Sequence, residues 1–426
     1  MLDEKGAMLN HVAIVLPGAL PVPCVLGGAI ESTIQLIVEQ NEIHKRLKIT
    51  VFTPYEKTAK ELSCAFKQTQ FIWIYKGRLY RLINFFIRGL RKVFFKRMDH
   101  LDGQILKWHL RKATFDKVII HSNIFHLLAL AKVLPKEKLV FYIHANLFFE
   151  RTRFNERIGR AAGRYVAISE FVKREVVKNS GVAPPRVSVL KNPIDFEKFN
   201  AVSNSERCGY LAKKYDIKPD DFVLLFAGRI VENKGVKHLL MALNLLPEEI
   251  PFKLLVIGSF GSGFGRGDKR DAFHDELMKL ADLMPGKIIF TGFVHNSGLP
   301  KYHVLADVVV MPSLCEEAAG KVAMEAMASG RPVITTNAGG IPEYVTEECG
   351  IILKRGDHFV SDLAAAIRDL ASDPAKRRRM GAAGAIEARN FAPEIYYSNY
   401  VKLAAGTAQA ATDFPSLEEF HENIKH

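Results

Sequence analysis

Two glutamates at the start of a predicted helix form the most informative segment of this 426-residue chain. Glu317 and Glu325 are separated by seven residues and follow a strand-like apolar run at 308–311. The residues that open the helix are Ala318, Ala319, Gly320, Lys321 and Val322. Backbone N–H groups at a helix start carry partial positive charge and suit a phosphate or a developing oxyanion. Glu325, about two turns on, could bind hydroxyls such as those of a ribose, unless Glu317 merely caps the helix and Glu325 is solvated.

Two basic residues occupy a similar position earlier in the chain. Arg229 and Lys234 follow the apolar run at 222–227 and precede a helical pattern. Ligands of open α/β sheets bind beyond the carboxyl ends of the strands, which is where this loop would lie. An Arg offers a two-pronged donor and a Lys a point charge, so the pair suits a diphosphate. Together with the glutamate segment, the loop predicts a phosphate-binding site in the second half of the chain.

Short apolar runs alternating with helical patterns must position these residues. Such alternation is typical of parallel sheets covered on both faces, and the pattern restarts midway along the chain. We therefore predict an α/β fold with two doubly wound, Rossmann-like domains in tandem. The predicted strands are 12–16, 47–52, 117–120, 139–143, 187–190, 222–227, 253–257, 287–290, 308–311 and 332–335, and the predicted helices are 31–39, 236–245, 271–283, 320–328, 360–371 and 391–400. The predicted divisions are an N-terminal domain at 1–195, a C-terminal domain at 196–390, and a helical tail at 391–426 that packs back toward the first domain.

Several motifs together resemble the family-4 retaining glycosyltransferases, which have the GT-B fold. The motifs are Gly228-Arg229 with Lys234-Gly235, Pro312-Ser313 with Glu317 and Glu325, Gly339-Gly340-Ile341-Pro342-Glu343, Gly27-Gly28, and Ser169-Glu170-Phe171. The resemblance covers nearly the whole chain and is most specific in the second half. It implies two domains facing a central cleft, the first binding the acceptor and the second a UDP- or GDP-type nucleotide-sugar. The implied activity is transfer of a hexose to a hydroxyl acceptor, in the assembly of a cell-surface glycan or glycolipid.

The resemblance also implies roles for individual residues. Arg229 and Lys234 would hold the donor diphosphate, and Glu325 would bind the ribose. Glu317 would lie beside the hydroxyls of the transferred sugar, and His144 matches the family's active-site histidine. The implied catalytic residues are thus Glu317, His144, Arg229 and Lys234. Further implied substrate contacts come from the loop glycines Gly27 and Gly28, from Gly258 at a strand end, from Val294 at the base, and from the helix start at Ala318, Ala319, Gly320, Lys321 and Val322.

The sequence departs from the family pattern where Ala318 and Ala319 replace the more common Gly-Phe, which changes the wall of the pocket. No Asp-x-Asp motif and no metal-type ligand spacing occur, so we expect neither a metal nor another cofactor. The five cysteines are far apart, as in a reduced cytoplasmic protein. His121 ends the predicted strand at 117–120 and fits either an acceptor-side group or a polar strand end. The glycine-rich segment at 259–270 fits either an exposed loop or a mobile lid.

The charge of the chain is concentrated in its first half. Residues 1–200 carry 33 Lys and Arg against 17 Asp and Glu, a net +16, whereas residues 201–426 carry 26 against 29. Residues 76–97 contain eight basic residues, no acid, and apolar residues near helical spacing. Such a helix can lie on an anionic membrane, although its apolar stripe could instead pack on the first domain's sheet. We predict peripheral membrane contact and a cytoplasmic location, at the inner face of the cell membrane.

Two other functions fit the sequence less well. A nucleotide-sugar epimerase would share the fold, because one fold supports several chemistries. A non-catalytic protein that binds nucleic acid or another anionic polymer would explain only the positive charge, and no RNA- or DNA-binding motif is present. We therefore expect no nucleic-acid partner.

Overall fold

The chain folds into two compact units. A computed structural model describes residues 10–93, 100–145, 147–200, 209–261 and 271–406, without the side chains of residues 81 and 88–93. Residues 10–193 and 393–406 belong to the first unit, and residues 194–392 form the second. No helix within these ranges combines the length and the apolarity that crossing a bilayer requires.

Each unit is built on one parallel sheet. Over the described residues the first sheet has seven strands in the order β3-β2-β1-β4-β5-β6-β7, and the second has six in the order β10-β9-β8-β11-β12-β13. The strands are β1 (His11–Val15), β2 (Lys48–Pro54), β3 (Thr69–Ile74), β4 (Lys117–His121), β5 (Leu139–Ile143), β6 (Arg164–Ala167), β7 (Val187–Val189), β8 (Phe222–Ala227), β9 (Phe252–Ile257), β10 (Ile288–Gly292), β11 (Val308–Met311), β12 (Val333–Thr336) and β13 (Gly350–Leu353). Both strand orders are doubly wound, and the order reverses between β1 and β4 and between β8 and β11.

Helices connect the strands. They are α1 (Ala29–His44), α2 (Lys57–Ser63), α3 (Arg78–Val93), α4 (Leu101–Lys112), α5 (Ile124–Leu130), α6 (Arg153–Gly159), α7 (Glu170–Ser180), α8 (Phe196–Asn200), α9 (Tyr210–Lys214), α10 (Val236–Leu243), α11 (Ala272–Asp282), α12 (Leu299–Leu305), α13 (Lys321–Ala328), α14 (Phe359–Ser372), α15 (Pro374–Ala388) and α16 (Pro393–Ala405). The last helix, α16, packs on α1 in the first unit, where the Tyr397 hydroxyl donates to Asn41 Oδ1 at 2.5 Å.

Local sequence explains where several elements begin and end. The hydroxyl of Ser169 accepts a hydrogen bond from the Val172 N–H at 3.2 Å, and Gly181 ends α7 with a left-handed φ of 69°. The strands β5 and β8 are buried along their whole length, as expected for central strands of a covered parallel sheet. The predicted doubly wound α/β class is therefore confirmed in both units.

The structure also corrects several predicted boundaries. The strands β3, β6 and β13 and the helices α2, α4 to α9, α12 and α15 were not predicted; β3 and β13 are sheet edges with largely half-buried side chains, and β6 has only four residues. The apolar stretches of β3 and β13, at 71–74 and 351–353, are so short that an apolar run alone does not separate a strand from a buried helix segment. The helix predicted at 31–39 extends over α1, and the one predicted from Gly320 begins at Lys321. Most of the loop-or-lid segment at 259–270 and the tail beyond residue 406 lie outside the described residues.

Candidate functional site

The candidate site of the second unit lies at the carboxyl edge of its sheet, where the strand order reverses between β8 and β11. The loop after β8 carries Arg229 and Lys234, and the loop after β11 carries Glu317. Backbone hydrogen bonds join the two loops, because the Asn233 carbonyl accepts from the N–H groups of Leu314 at 2.9 Å and Cys315 at 3.4 Å. The doubly wound topology therefore brings together residues that are more than 80 positions apart.

Two glycines allow the loops to approach each other closely. Gly235 has a φ of 76°, and a Cβ atom there would lie 1.9 Å from the carbonyl oxygen of Pro312. Gly258, at the end of β9, has a φ of 146°, and its Cβ would lie 1.8 Å from the carbonyl oxygen of Gly228. Both positions exclude any larger residue. Gly258 directly follows β9 at this edge, and its predicted contact with the substrate stays a prediction.

A triad of side chains, Lys234, Glu317 and Ser313, also joins the two loops. Lys234 Nζ contacts Glu317 Oε1 directly, and the Ser313 hydroxyl donates to the same carboxylate oxygen at 2.7 Å. The ion pair is mostly buried, with the Lys234 and Glu317 side chains 22% and 16% exposed. Ser313 is fully buried and was not among the predicted site residues. The signal that could have found it was its place in the Pro312-Ser313 motif of the family resemblance, four residues before Glu317.

The backbone of Glu317 is held from the other side. Its carbonyl accepts a hydrogen bond from the Gly340 N–H at 2.7 Å. Gly339 has a φ of 56°, and a Cβ there would lie 2.2 Å from the same carbonyl. The Gly339-Gly340 motif is therefore a tight turn that orients Glu317.

The helix α13 begins beside this triad. Its N-cap is Gly320, which offers no capping side chain, and the first turn contains Lys321 and Val322. Glu317 does not cap the helix, because its carboxylate is taken up by Lys234 and Ser313. The start of the helix therefore presents a partial positive charge at the same edge of the sheet.

Glu325 is buried in α13 and not solvated. Its side chain is only 9% exposed, and its Oε2 lies 3.8 Å from Nε2 of the fully buried His303 on α12. A buried carboxylate needs hydrogen-bonding partners, and sugar hydroxyls would supply them. Sequence reasoning did not identify His303, because a lone histidine in an apolar helix carries no motif.

The remaining predicted residues of this unit lie around the same edge. Arg229 follows β8 with an exposed side chain, Val294 follows β10 and is half-buried, and Ala318 and Ala319 are half-buried in the loop before α13. Within the ranges that the structure covers, Arg229 makes no ion pair. No group of three or more potential metal-ligating side chains occurs among the described residues.

The predicted residues of the first unit lie at the carboxyl edge of their own sheet. Gly27 and Gly28 have φ values of 78° and 107° and precede α1, for which Gly28 is the N-cap. His144 follows β5 directly and is half-buried. Its ring nitrogen Nε2 lies 2.8 Å from Nδ1 of His121, the last residue of β4. Burial lowers the pKa of His121 to about 3, so this imidazole is neutral at physiological pH.

The chain matches two family models. "Glycosyltransferase Family 4" matches residues 27–198, and "Glycosyl transferases group 1" matches residues 211–386. Together they account for well over half of the chain. A solved glycosyltransferase from Rickettsia africae ESF-5 superposes with a TM-score of 0.73 at 18% identity, over 94% of this chain and 98% of that one. These matches define a two-domain glycosyltransferase of the GT-B fold.

The relatives agree with that class. HepE from Anabaena, solved with UDP-glucose, superposes with a TM-score of 0.71 at 18% identity, over 93% of this chain and 99% of that one. A D-inositol 3-phosphate glycosyltransferase from Paenarthrobacter aurescens (strain TC1) is 33% identical over 57% of each chain. The chain belongs to glycosyltransferase family 4.

Proposed function

We propose that this enzyme is a retaining hexosyltransferase that uses a nucleotide-sugar of the UDP or GDP type and a hydroxyl acceptor. The observation that carries the proposal is the triad of Lys234, Glu317 and Ser313 beside the uncapped start of α13. It combines a cation, a fixed carboxylate and a helix dipole within one small region. A diphosphate and the sugar attached to it need these three groups.

In this proposal the second unit binds the donor. Arg229, Lys234 and the N–H groups at the start of α13 bind the diphosphate, and Glu325 binds the ribose hydroxyls. Glu317 accepts hydrogen bonds from hydroxyls of the transferred sugar, and the backbone at Val294 meets the base. The two cations and the helix start stabilise the negative charge that grows on the leaving diphosphate. We propose that this stabilisation makes a divalent metal unnecessary.

The first unit is proposed to bind the acceptor. Its loop at Gly27 and Gly28 lets backbone approach a ligand closely, and His144 contacts the donor sugar. Glu317 is a poor nucleophile, because a cation and a hydroxyl already engage its carboxylate. A front-face reaction fits better. The bond from the anomeric carbon to phosphate breaks, the bond to the acceptor oxygen forms on the same face, and the acceptor proton passes to a diphosphate oxygen.

A donor and acceptor screen tests the proposal. Nucleotide release from UDP- and GDP-hexoses is measured with and without membrane extract as acceptor, and with and without EDTA. We expect one donor to release nucleotide in an acceptor-dependent and EDTA-insensitive reaction that yields the retained anomer. Glu317→Gln should abolish it, whereas Lys279→Ala on the exposed face of α11 should leave it unchanged. Acceptor-independent conversion of the donor would instead indicate an epimerase.

We further propose that α3 places the enzyme on an anionic membrane at the cytoplasmic face, where a lipid-linked acceptor would be found. Leu79, Leu82 and Phe86 of the apolar stripe are 70%, 54% and 60% exposed, and the neighbouring Phe85 is 72% exposed, so this part of the helix does not pack on the sheet. Residues 94–97, and the side chains of residues 88–93, lie outside what the structure describes. Exposed apolar side chains on a basic helix are typical of interfacial helices.

Sedimentation with lipid vesicles tests membrane contact. The protein should bind vesicles that contain anionic lipid and dissociate as salt rises, because each basic residue contributes on the order of 1 kcal/mol near such a surface. Exchanging Arg88, Arg91, Lys92 and Lys96 for Gln should weaken binding to the vesicles while binding of the nucleotide-sugar, which is proposed to lie in the second unit, is unchanged. Retained binding by this quadruple variant would refute the proposal.

A further inference from the structure

The buried histidine His121 lies next to His144 and has no role in the reaction proposed above. His121 is the last residue of β4, and its side chain is fully buried. The strands β4 and β5 are neighbours, and their register pairs His121 with Tyr142, two residues before His144. His121 Nδ1 and His144 Nε2 are 2.8 Å apart, which is a hydrogen-bond distance.

The three aromatic rings at these strand ends are nearly parallel. Tyr142 stacks on His121 with an interplanar angle of 13° and on His144 with an angle of 12°. Tyr142 itself is fixed, because its hydroxyl lies 3.1 Å from the Leu190 carbonyl and 2.9 Å from the hydroxyl of Tyr396 on α16. The stack therefore leaves the His121 ring little freedom to rotate.

The backbone around the pair is fixed as well. The His144 N–H donates to the Ser122 hydroxyl oxygen at 3.0 Å, and the Ser122 N–H donates to the Tyr142 carbonyl at 2.8 Å. Ser122 has a φ of 50°, a left-handed conformation that is uncommon for residues other than glycine. The ends of β4 and β5 thus form one rigid support for the His144 ring.

The environment of His121 indicates which of its nitrogens carries the proton. The ring is neutral, because burial lowers its pKa to about 3, so it has one N–H group. Nε2 of His121 is buried and has no hydrogen-bond partner among the described residues. A proton on Nε2 would leave an N–H without an acceptor, and buried N–H groups of that kind are rare. A proton on Nδ1 is instead donated to Nε2 of His144, and only the lone pair on Nε2 of His121 is then unused.

We infer that His121 is a positioning residue that donates from Nδ1 to Nε2 of His144 and thereby keeps the His144 proton on Nδ1. The Nε2 lone pair of His144 is then occupied, so the ring cannot act as a base through that nitrogen. The other nitrogen, Nδ1, is then an N–H donor, the kind of group that binds a sugar hydroxyl or a phosphate oxygen. This consequence for catalysis rests on the proposed contact of His144 with the donor sugar.

Nitrogen NMR of the free, full-length protein tests the tautomer without any activity measurement. The protein is labelled with ¹⁵N in the imidazole rings of its 14 histidines, and the His144 signals are assigned by their loss in His144→Gln. We expect His144 to show a protonated Nδ1 and an unprotonated Nε2. A protonated Nε2 in the parent protein would overturn the inference, even if every variant of His121 failed to fold.

Two variants of nearly equal size then separate positioning from packing. His121→Asn keeps an N–H near the place of Nδ1, whereas His121→Asp places a carboxylate acceptor there. We expect His121→Asn to retain the parent tautomer and its kcat within about threefold. His121→Asp should move the His144 proton to Nε2 and lower kcat at least tenfold, with KM for the donor changed less than threefold.

Equal kcat values for the two folded variants would overturn the inference. The parent tautomer with no sugar transfer from any donor would instead refute the proposed function and leave the positioning role standing.

Discussion

Two buried histidines should make the first unit sensitive to acid. Burial lowers the pKa of His121 to about 3 and that of His126 to about 4. For His126 the nearby Asp102 acts in the opposite direction and Lys76 in the same direction as burial. In the unfolded chain both imidazoles titrate near the ordinary histidine value of about 6.5. Between the folded and unfolded pKa values, the unfolded chain binds more protons, so stability falls as the pH is lowered.

The size of the effect follows from these pKa values. Between about pH 7.5 and pH 5, protonation of the unfolded chain costs about 2 kcal/mol of stability for each histidine. The folded state binds almost no additional protons at these two histidines in this range, because both folded pKa values lie below it. The expected total loss is therefore about 4 kcal/mol, a large fraction of the stability of an ordinary domain. The half-buried His11 and His109 have lowered pKa values as well and act in the same direction.

Urea unfolding followed by tryptophan fluorescence measures this loss selectively. Both tryptophans, Trp73 and Trp108, belong to the first unit, so the signal reports that unit alone. His121→Asn should reduce the pH-dependent loss by about 2 kcal/mol, because one of the two buried titrating groups is gone. If the parent loses less than 1 kcal/mol over this range, the assigned burial of these histidines is wrong.

Three further outcomes are expected. Glu325→Ala should mainly raise KM for the donor. Arg229→Ala should mainly lower kcat, because it removes a few kcal/mol of transition-state stabilisation. Equal small effects of the two variants on kcat/KM would contradict both roles. Exchanging Phe85 and Phe86 for Ser should weaken vesicle binding even at low salt, whereas Leu283→Ser in the second unit should not. Gly235→Ala should abolish transfer and lower the stability of the second unit by at least about 1–3 kcal/mol in urea unfolding, because its φ is left-handed and a Cβ would lie 1.9 Å from a carbonyl oxygen.

The fold class and most of the central strands could be predicted from the sequence. Central parallel strands are buried on both faces, so β5, β8 and β11 appear as uninterrupted apolar runs with sharp ends. The edge strands β3 and β13 escaped prediction because their apolar stretches, at 71–74 and 351–353, are too short to be told from a buried helix segment. The family motifs also stand out locally, since tight turns such as Gly339-Gly340 require glycine whatever surrounds them.

The arrangement of the site could be predicted only in part. The sequence indicated that Lys234 and Glu317 follow strands of one sheet. It could not show that they form an ion pair, because the reversal in strand order between β8 and β11 brings them together across 83 positions. The role of Ser313 was missed although the residue lies in the Pro312-Ser313 motif, because a motif does not show which side chain the hydroxyl contacts. His303 lies in no pattern that distinguishes it from an ordinary helix residue.

Segment by segment, the sequence determined the local features of this protein: apolar runs, glycine turns, caps and the charge of the first half. Tertiary structure decided points that the sequence had left open. Glu317 pairs with Lys234 and does not cap α13, Glu325 is buried, and His121 is the hidden neighbour of His144. Local patterns constrain the backbone conformation and the burial of each residue. Hydrogen bonds between distant side chains depend on which strands are neighbours, and that order is fixed only in the folded sheet.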